Sequence, residues 1–262
     1  MSCLRVLFAN RRLIWNLTLL DFKMRYAGSK LGLVWMLIAP LLLLGAYLTL
    51  FARILRVGAG PGLAMPEYGL LVAAGLLPWF GFSEGVTRGT GSVLAHRNLM
   101  KSRLFPMELI PVTAVCVGLV GQLGGTALIL LVLALNGKLG SGLLFLPVLL
   151  ILQTLFSIGI VWVLSCVNIL YRDTSQVVSL LMVLLMFLSP IAYSQQMVPV
   201  ELGLIVKLNP LAYLIEGYRE SLVSGQVPNL WGLAAFAGLS FASLLAGHHY
   251  FTRLRRVLPD YV

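Results

Sequence analysis

From Leu31 to Ala52 the chain runs 22 residues without a charged side chain, and comparable stretches recur along its whole length. A hydrocarbon core about 30 Å thick takes roughly 20 residues of helix to cross, and with no water inside it every backbone amide must be satisfied within its own segment. Membrane-spanning helices are therefore the expected architecture. Only 11% of the residues are charged and 59% are hydrophobic, against about a quarter charged in soluble domains. The formal net charge of +10 does not point to a nucleic-acid partner, because the basic residues sit in short connections between apolar runs rather than in one polar domain.

The apolar runs place six spans, at about 31–54, 67–87, 107–135, 143–169, 175–194 and 229–250. The second is the weakest, since Glu67 and Glu84 leave 16 uncharged residues between them and Pro78 interrupts the helix, so that this span is expected to kink or to end in a cavity rather than in lipid. If the N-terminus is cytoplasmic, 14 of the Lys and Arg residues fall on that side and five (Arg53, Arg56, Lys138, Lys207, Arg219) on the other. The positive-inside rule then puts both termini in the cytoplasm. The first run is longer than the roughly 7–15 residues of a secretory h-region and no small-residue cleavage site follows it, so no cleavage is expected.

Residues 1–29 are too charged to cross. Val6, Leu13, Leu17, Leu20 and Met24 share one helical face, opposite Arg5, Arg12, Asn16 and Lys23, which predicts a helix lying in the inner interface; a solvated basic tail would lack the apolar face. Residues 195–228 mix apolar stretches with Glu201, Lys207, Glu216, Arg219 and Glu220, broken by Pro199, Asn209-Pro210 and Gly225. Two short helices dipping partly into the outer leaflet are expected there. The connection from about Arg88 to Pro106 carries Arg88, His96, Arg97, Asn98, Lys101 and Arg103 among Leu94, Leu99, Met100, Leu104 and Phe105, and suits either a partner-docking helix or a headgroup-binding loop.

The chemistry that is missing narrows the function. The phosphate-cradling pattern G-x-x-x-x-G-K-[ST] does not occur, so any ATP has to be bound by another chain. Without an H-E-x-x-H motif, a C-x-x-C pair among Cys3, Cys116 and Cys166, or a clustered set of His, Asp and Glu, neither a catalytic nor a metal-ligating set is expected. His248 and His249 are expected to anchor the inner end of the last span. Glu67, Glu84, Glu108 and Asp173 lie near span ends, none of them deep, which disfavours an ion-driven carrier. Asp173 fits the start of the fifth span, where a helix N-terminus favours an acid. Tyr47, Phe51, Tyr193 and Tyr213 cluster toward the outer half, where they suit an interfacial belt or, if turned inward, a surface on which sugar rings stack.

Several stretches together resemble a known family. Phe22-Lys23-Met24-Arg25-Tyr26-Ala27-Gly28-Ser29-Lys30-Leu31-Gly32-Leu33-Val34-Trp35, followed by Ala39-Pro40, is similar to the junction of interfacial helix and first span in type-2 ATP-binding-cassette exporters of polysaccharides. Gly75-Leu76-Leu77-Pro78-Trp79-Phe80 resembles their second span. Asn98-Leu99-Met100-Lys101 through Phe105-Pro106 and Leu109-Ile110-Pro111 resembles their coupling helix and third span. Tyr171-Arg172-Asp173, Leu188-Ser189-Pro190-Ile191-Ala192-Tyr193, Met197-Val198-Pro199, Leu208-Asn209-Pro210-Leu211 and Glu216-Gly217-Tyr218-Arg219 complete the series in order. Lys30 departs from it, as a basic residue where a small or apolar one is expected.

The resemblance implies an all-α integral membrane fold over 1–262 as one permease domain: an interfacial helix in 1–29, spans 1–5 in 30–194, re-entrant helices in 195–228, and the sixth span with a basic tail in 229–262. It implies a homodimer working with two copies of a separate ATPase that binds ATP and Mg, in a bacterial inner membrane, with no cofactor on this chain and no nucleic acid. The cargo would be a polyprenyl-diphosphate-linked glycan, with O-antigen foremost and capsule, teichoic acid or a small molecule such as a drug as alternatives. Lys23, Arg25 and Lys30 would receive the lipid diphosphate, unless they serve only to anchor the helix to anionic lipid. Residues 93–104, with Leu94, Arg97, Asn98, Lys101 and Arg103, would couple to the ATPase, and Tyr47, Phe51, Tyr193 and Tyr213 would line the glycan path.

Overall fold

A computed structural model describes residues 7–50, 65–97, 106–193 and 200–254, and these are helical almost throughout, with no strand among them. The helices are α1 (Arg11–Tyr26), α2 (Trp35–Tyr47), α3 (Met65–Ala95), α4 (Leu109–Leu135), α5 (Leu146–Leu170), α6 (Thr174–Leu188), α7 (Val200–Leu208), α8 (Pro210–Leu222) and α9 (Leu230–Leu254). A short 3₁₀ turn, Gly32–Val34, leads into α2, and another, Ser141–Phe145, leads into α5.

α3 is the hub. It packs against α4, α5, α8, α6 and α2, and 67% of its apolar window is buried, against 22% for α9 at the periphery. Two crossings are close because glycines face each other. A Cβ on Gly118 of α4 would come within 2.7 Å of the Gly81 carbonyl oxygen and 2.8 Å of the Gly85 nitrogen on α3, and Gly159 and Gly247 meet in the same way between α5 and α9. Apolar lipid gives helices no hydrophobic reason to associate, so small residues that let backbones touch supply the packing energy instead. Outward, Leu128, Leu131 and Leu135 on α4, Ile151 on α5, Leu180 and Phe187 on α6, and Leu245 on α9 are all exposed. So large an apolar surface requires lipid or a protein partner.

Four helical segments are long and apolar enough to cross a membrane: Glu67–Ala95, Leu109–Leu135, Ser141–Leu170 and Leu230–Leu254. They match the second, third, fourth and sixth expected spans. The first and fifth correspond to shorter apolar helices, Leu41–Leu50 and Thr174–Leu188. At 1.5 Å per residue the 15 residues of α6 make about 22 Å, short of a full hydrocarbon core. Residues 51–54 of the first expected span and 194 of the fifth lie outside the described residues.

The second span departs from expectation in two ways. Pro78 lies inside α3 without ending it. A proline denies its N–H to the carbonyl four residues back, but here the helix is enclosed by others, and the Pro78 carbonyl itself accepts a hydrogen bond from the Gln153 side chain at 3.0 Å. The helix also continues past Glu84 to Ala95, so Arg88 and Leu94 belong to α3 and not to the connection that follows. Arg88 Nε pairs with Glu84 at 3.0 Å one turn away, and Val86 and Val93 remain buried. The two charges offset each other and the apolar face carries on.

Helix ends follow local chemistry. Gly137, at φ 66°, closes α4 in a Schellman arrangement, with the Lys138 N–H donating to Leu133 O and the Gly137 N–H to Ala134 O. α8 starts at Pro210 behind Asn209, whose side chain accepts from the Leu211 N–H at 3.0 Å. Residues 195–228 thus contain the two expected short helices, α7 and α8.

Candidate functional site

At one end of the bundle α1 lies against α4 and the last turns of α3. α1 turns Thr18, which is buried, and Ile14 toward the core, whereas Leu20 and Met24 of its apolar stripe are exposed. Thr18 reaches Cys116 of α4. Two acid–base links tie α1 to α3. Arg25 donates to Glu84, which also holds Arg88, and His96 Nε2 lies 3.7 Å from Asp21. Of the three residues expected to receive a lipid diphosphate, Arg25 is thus engaged by a carboxylate, while Lys23 and Lys30 are exposed. Gly28 and Gly32, at φ 80° and 50°, turn the chain from α1 into α2 in a backbone region that other residues resist, which accounts for both glycines in the motif.

Among the residues expected to couple to an ATPase, Leu94 lies half-buried in the last turn of α3 and Arg97 is exposed just beyond it. Asn98, Lys101 and Arg103 lie outside the described residues. Arg97 thus directly follows His96, which faces Asp21 of α1 just past the end of α3. Glu84 and Asp21 were not singled out as partners by sequence reasoning. The Glu84–Arg88 spacing of four was a usable signal, but the link to Arg25 spans 59 positions and left none.

The opposite end is built around the turn after α6. Arg219 of α8 is buried and donates through Nη2 to Ile191 O at 2.7 Å and through Nη1 to Tyr193 O at 3.2 Å, with Glu216 at 3.6 Å. Tyr68 of α3 donates to Ala192 O at 2.8 Å, and Asn209 Nδ2 to Ser189 Oγ at 3.0 Å. Three successive carbonyls, Ile191 to Tyr193, are thus each held by a side chain from another helix. Beneath this clamp Gln122 of α4, Gln153 of α5 and Tyr218 of α8 form a buried cluster. Gln122 Nε2 donates to Gln153 Oε1 at 2.9 Å and lies 2.8 Å from the Tyr218 hydroxyl, and Gln153 Nε2 donates to Gln122 Oε1 at 2.7 Å. In a low-dielectric interior such a satisfied network fixes one arrangement of four helices.

The described aromatic residues expected along a glycan path sit in different surroundings. Tyr47 is buried at the end of α2, and Phe51 lies outside the described residues. Tyr193 donates its hydroxyl to Leu188 O at 3.2 Å within its own turn. Tyr213 lines a cavity of about 520 Å³ between α8 and the start of α9, to whose walls Tyr47 and Tyr193 do not contribute. Asp173 occupies the N-cap position of α6 without a capping bond from its side chain; Asn168 of α5 instead accepts the Ser175 N–H at 3.1 Å. His248 packs against Trp162 in a tilted arrangement, with ring centroids 5.5 Å apart and planes at 52°, so it packs within the bundle.

The sequence profile of the ABC-2 type transporter family matches residues 12–223, from α1 to the end of α8. The chain belongs to the ABC-2 type transporter family. Its curated relatives include the O-antigen export system permease protein RfbA of Myxococcus xanthus, 28% identical over 98% of this chain and 97% of that protein. The Klebsiella pneumoniae protein of the same name is 31% identical over 78% of each chain. The polysialic acid transport protein KpsM of Escherichia coli is 25% identical over 88% of this chain and 89% of its own. As an ABC-2 family member with several helices able to span a bilayer, the chain is a multi-pass membrane protein.

Several motif residues of this ABC-2 chain make the two joints: Arg25, Gly28 and Gly32 at the α1 end, and Ser189, Ile191, Tyr193, Asn209 and Arg219 at the other, with Tyr218 in the cluster beneath. Gly81-Phe82-Ser83-Glu84-Gly85 has the spacing of the G-x-S-x-G motif of α/β-hydrolases. It lies inside unbroken α3, whereas a nucleophile elbow needs a sharp strand-to-helix turn, so it carries no hydrolase chemistry.

Proposed function

We propose that this chain is the channel-forming permease subunit of an ATP-driven exporter that moves a polyprenyl-diphosphate-linked polysaccharide, O-antigen foremost, from the cytoplasm across the bacterial inner membrane. The observation that carries the reading is the likeness to the Myxococcus xanthus O-antigen export permease over 259 residues, reaching from α1 through α9 rather than stopping at a few apolar helices.

In this reading α2, α3, α4, α5, α6 and α9 make six crossings with both termini in the cytoplasm. Two copies form the path, and exposed apolar side chains of α6 such as Leu180, Leu184 and Phe187 face the second copy or lipid. Two ATPase subunits, which hold the ATP and Mg, dock on residues 93–104. A push there moves the end of α3, and the Asp21–His96 and Arg25–Glu84 links carry it to α1, a rigid-body transfer between packed parts. Lys23 and Lys30, exposed on and just after α1, meet the carrier's diphosphate through charge-assisted contacts. Arg25, held by Glu84, fixes the height of α1.

The reading is tested by reconstituting the full chain with its ATPase in lipid and adding lipid-linked glycan. Stimulated ATP hydrolysis is expected, reduced by Lys23→Ala with Lys30→Ala and uncoupled by Arg97→Glu with Lys101→Glu. No stimulation in the parent would overturn it. A capsule-type cargo is the second reading, favoured by the likeness to KpsM, and the polymer that stimulates hydrolysis separates the two.

A further inference from the structure

We propose that the cavity between α8 and the start of α9 is a docking site for an uncharged stretch of glycan at the end of the bundle opposite α1. The inference rests on the proposed export function and adds a place where the sugar itself is held. The chain has 19 Lys and Arg residues against nine Asp and Glu, yet two of those nine acids, Glu216 and Glu220, line this cavity, and no Lys, Arg or His does. Such a lining repels phosphate and other anions and leaves neutral hydrogen-bond donors as suitable guests. Its volume, about 520 Å³, falls in the roughly 300–1,000 Å³ range of small-ligand pockets and exceeds what a single cation fills.

The remaining walls have the surfaces a sugar uses. Trp231, 87% exposed, and the half-buried Tyr213 line the cavity, so the apolar C–H faces of a pyranose have aromatic faces to stack on, while Phe236, 1% exposed, backs the wall from the core. The carboxylates are positioned from within. Glu220 Oε2 accepts the Asn229 N–H at 2.7 Å, which ties the end of α8 to the start of α9, and Glu216 stands 3.6 Å from the clamped Arg219. A carboxylate offers about four lone-pair sites, so each acid keeps acceptors for sugar hydroxyls after these contacts. Through Arg219 the same carboxylate touches the turn at 191–193, so glycan bound here contacts the element that closes this end of the bundle.

The test uses the full-length chain in lipid nanodiscs and, as probe, the delipidated oligosaccharide released from the host's own surface glycan, titrated by calorimetry. Binding is expected in the parent. It should fall about tenfold or more in Trp231→Ala and in Glu220→Gln, which keeps an acceptor for the Asn229 N–H, and stay unchanged in Leu230→Ala, an exposed neighbour outside the cavity. No binding in the parent, or binding indifferent to both variants, would overturn the proposal. So would binding of tetramethylammonium in place of the oligosaccharide with the same sensitivity, which would mark a cation cage. Surface glycan is followed in parallel in cells lacking the chain. If it is lost there while the variants bind like the parent, the docking site fails alone; if it persists, the export function itself fails.

Discussion

Replacing Arg219 should loosen the end of the bundle opposite α1 more than any other single polar substitution there. Arg219 is 5% exposed, and its guanidinium makes charge-assisted hydrogen bonds to Ile191 O and Tyr193 O at 2.7 and 3.2 Å. Bonds of this kind contribute about 1.5–3 kcal/mol each, and removing the donor strands acceptors in the interior, so Arg219→Ala should cost about 3–5 kcal/mol. Glu216, 40% exposed on its side chain, adds little because solvent screens it. Arg219→Lys keeps the charge but reaches one carbonyl instead of two, and should lose about half as much. Tyr68→Phe removes a neutral bond to Ala192 O, worth about 1 kcal/mol. Because the three carbonyls are consecutive, the double variant should deviate from additivity by more than about 0.5 kcal/mol. Unfolding by SDS titration in mixed micelles reads the stabilities, and amide exchange over 189–193 reads the local opening. An Arg219→Ala loss under about 1 kcal/mol, or Arg219→Lys matching the parent, would refute the clamp.

Three further outcomes are expected. Glu84→Ala leaves Arg25 and Arg88 facing each other and should raise protease cutting within α1, while the charge exchange Arg25→Glu with Glu84→Arg should restore protection; equal cutting in all three would remove the joint. Gly118→Ala puts a methyl against the backbone of α3 and should cost about 1–3 kcal/mol in detergent stability, whereas Gly121→Ala, with nothing within 4 Å, should be neutral or stabilising by up to about 1 kcal/mol. Gln153→Leu breaks the bonds to Pro78 O and Gln122 and should cost about 2–3 kcal/mol by thermal unfolding, and a variant as stable as the parent would show the cluster to be dispensable.

The long charge-free runs made α4, α5 and α9 legible, because a helix in lipid has to be apolar over its full length. α3 was read too short. Its Glu84 is neutralised by Arg25, 59 positions away, and a window sliding along the chain sees the acid without its partner. Pro78 looked like a break for the same reason, since the enclosure that tolerates it comes from α4, α5 and α8. For α1 the amphipathic pattern located the helix and did not say which side meets the bundle. In lipid the exposed side, with Leu20 and Met24, is apolar too, so polarity does not distinguish protein from bilayer, and the inward face includes Thr18 and Asp21. The motifs around 189–219 identified the family, but the reason those residues belong together appears only when Arg219, Tyr68 and Asn209 converge on one turn. Nearness to one end of a bundle does not fix where a ring points, and of the described aromatic candidates Tyr213 alone lines the cavity beside α8.

The most direct test of export is to delete the chain in its host and fractionate the glycan by membrane face. The proposed function predicts lipid-linked polymer trapped on the cytoplasmic face and lost from the surface, restored by the parent chain and not by Arg219→Ala. Surface polymer at the parental level, with none trapped inside, would contradict it.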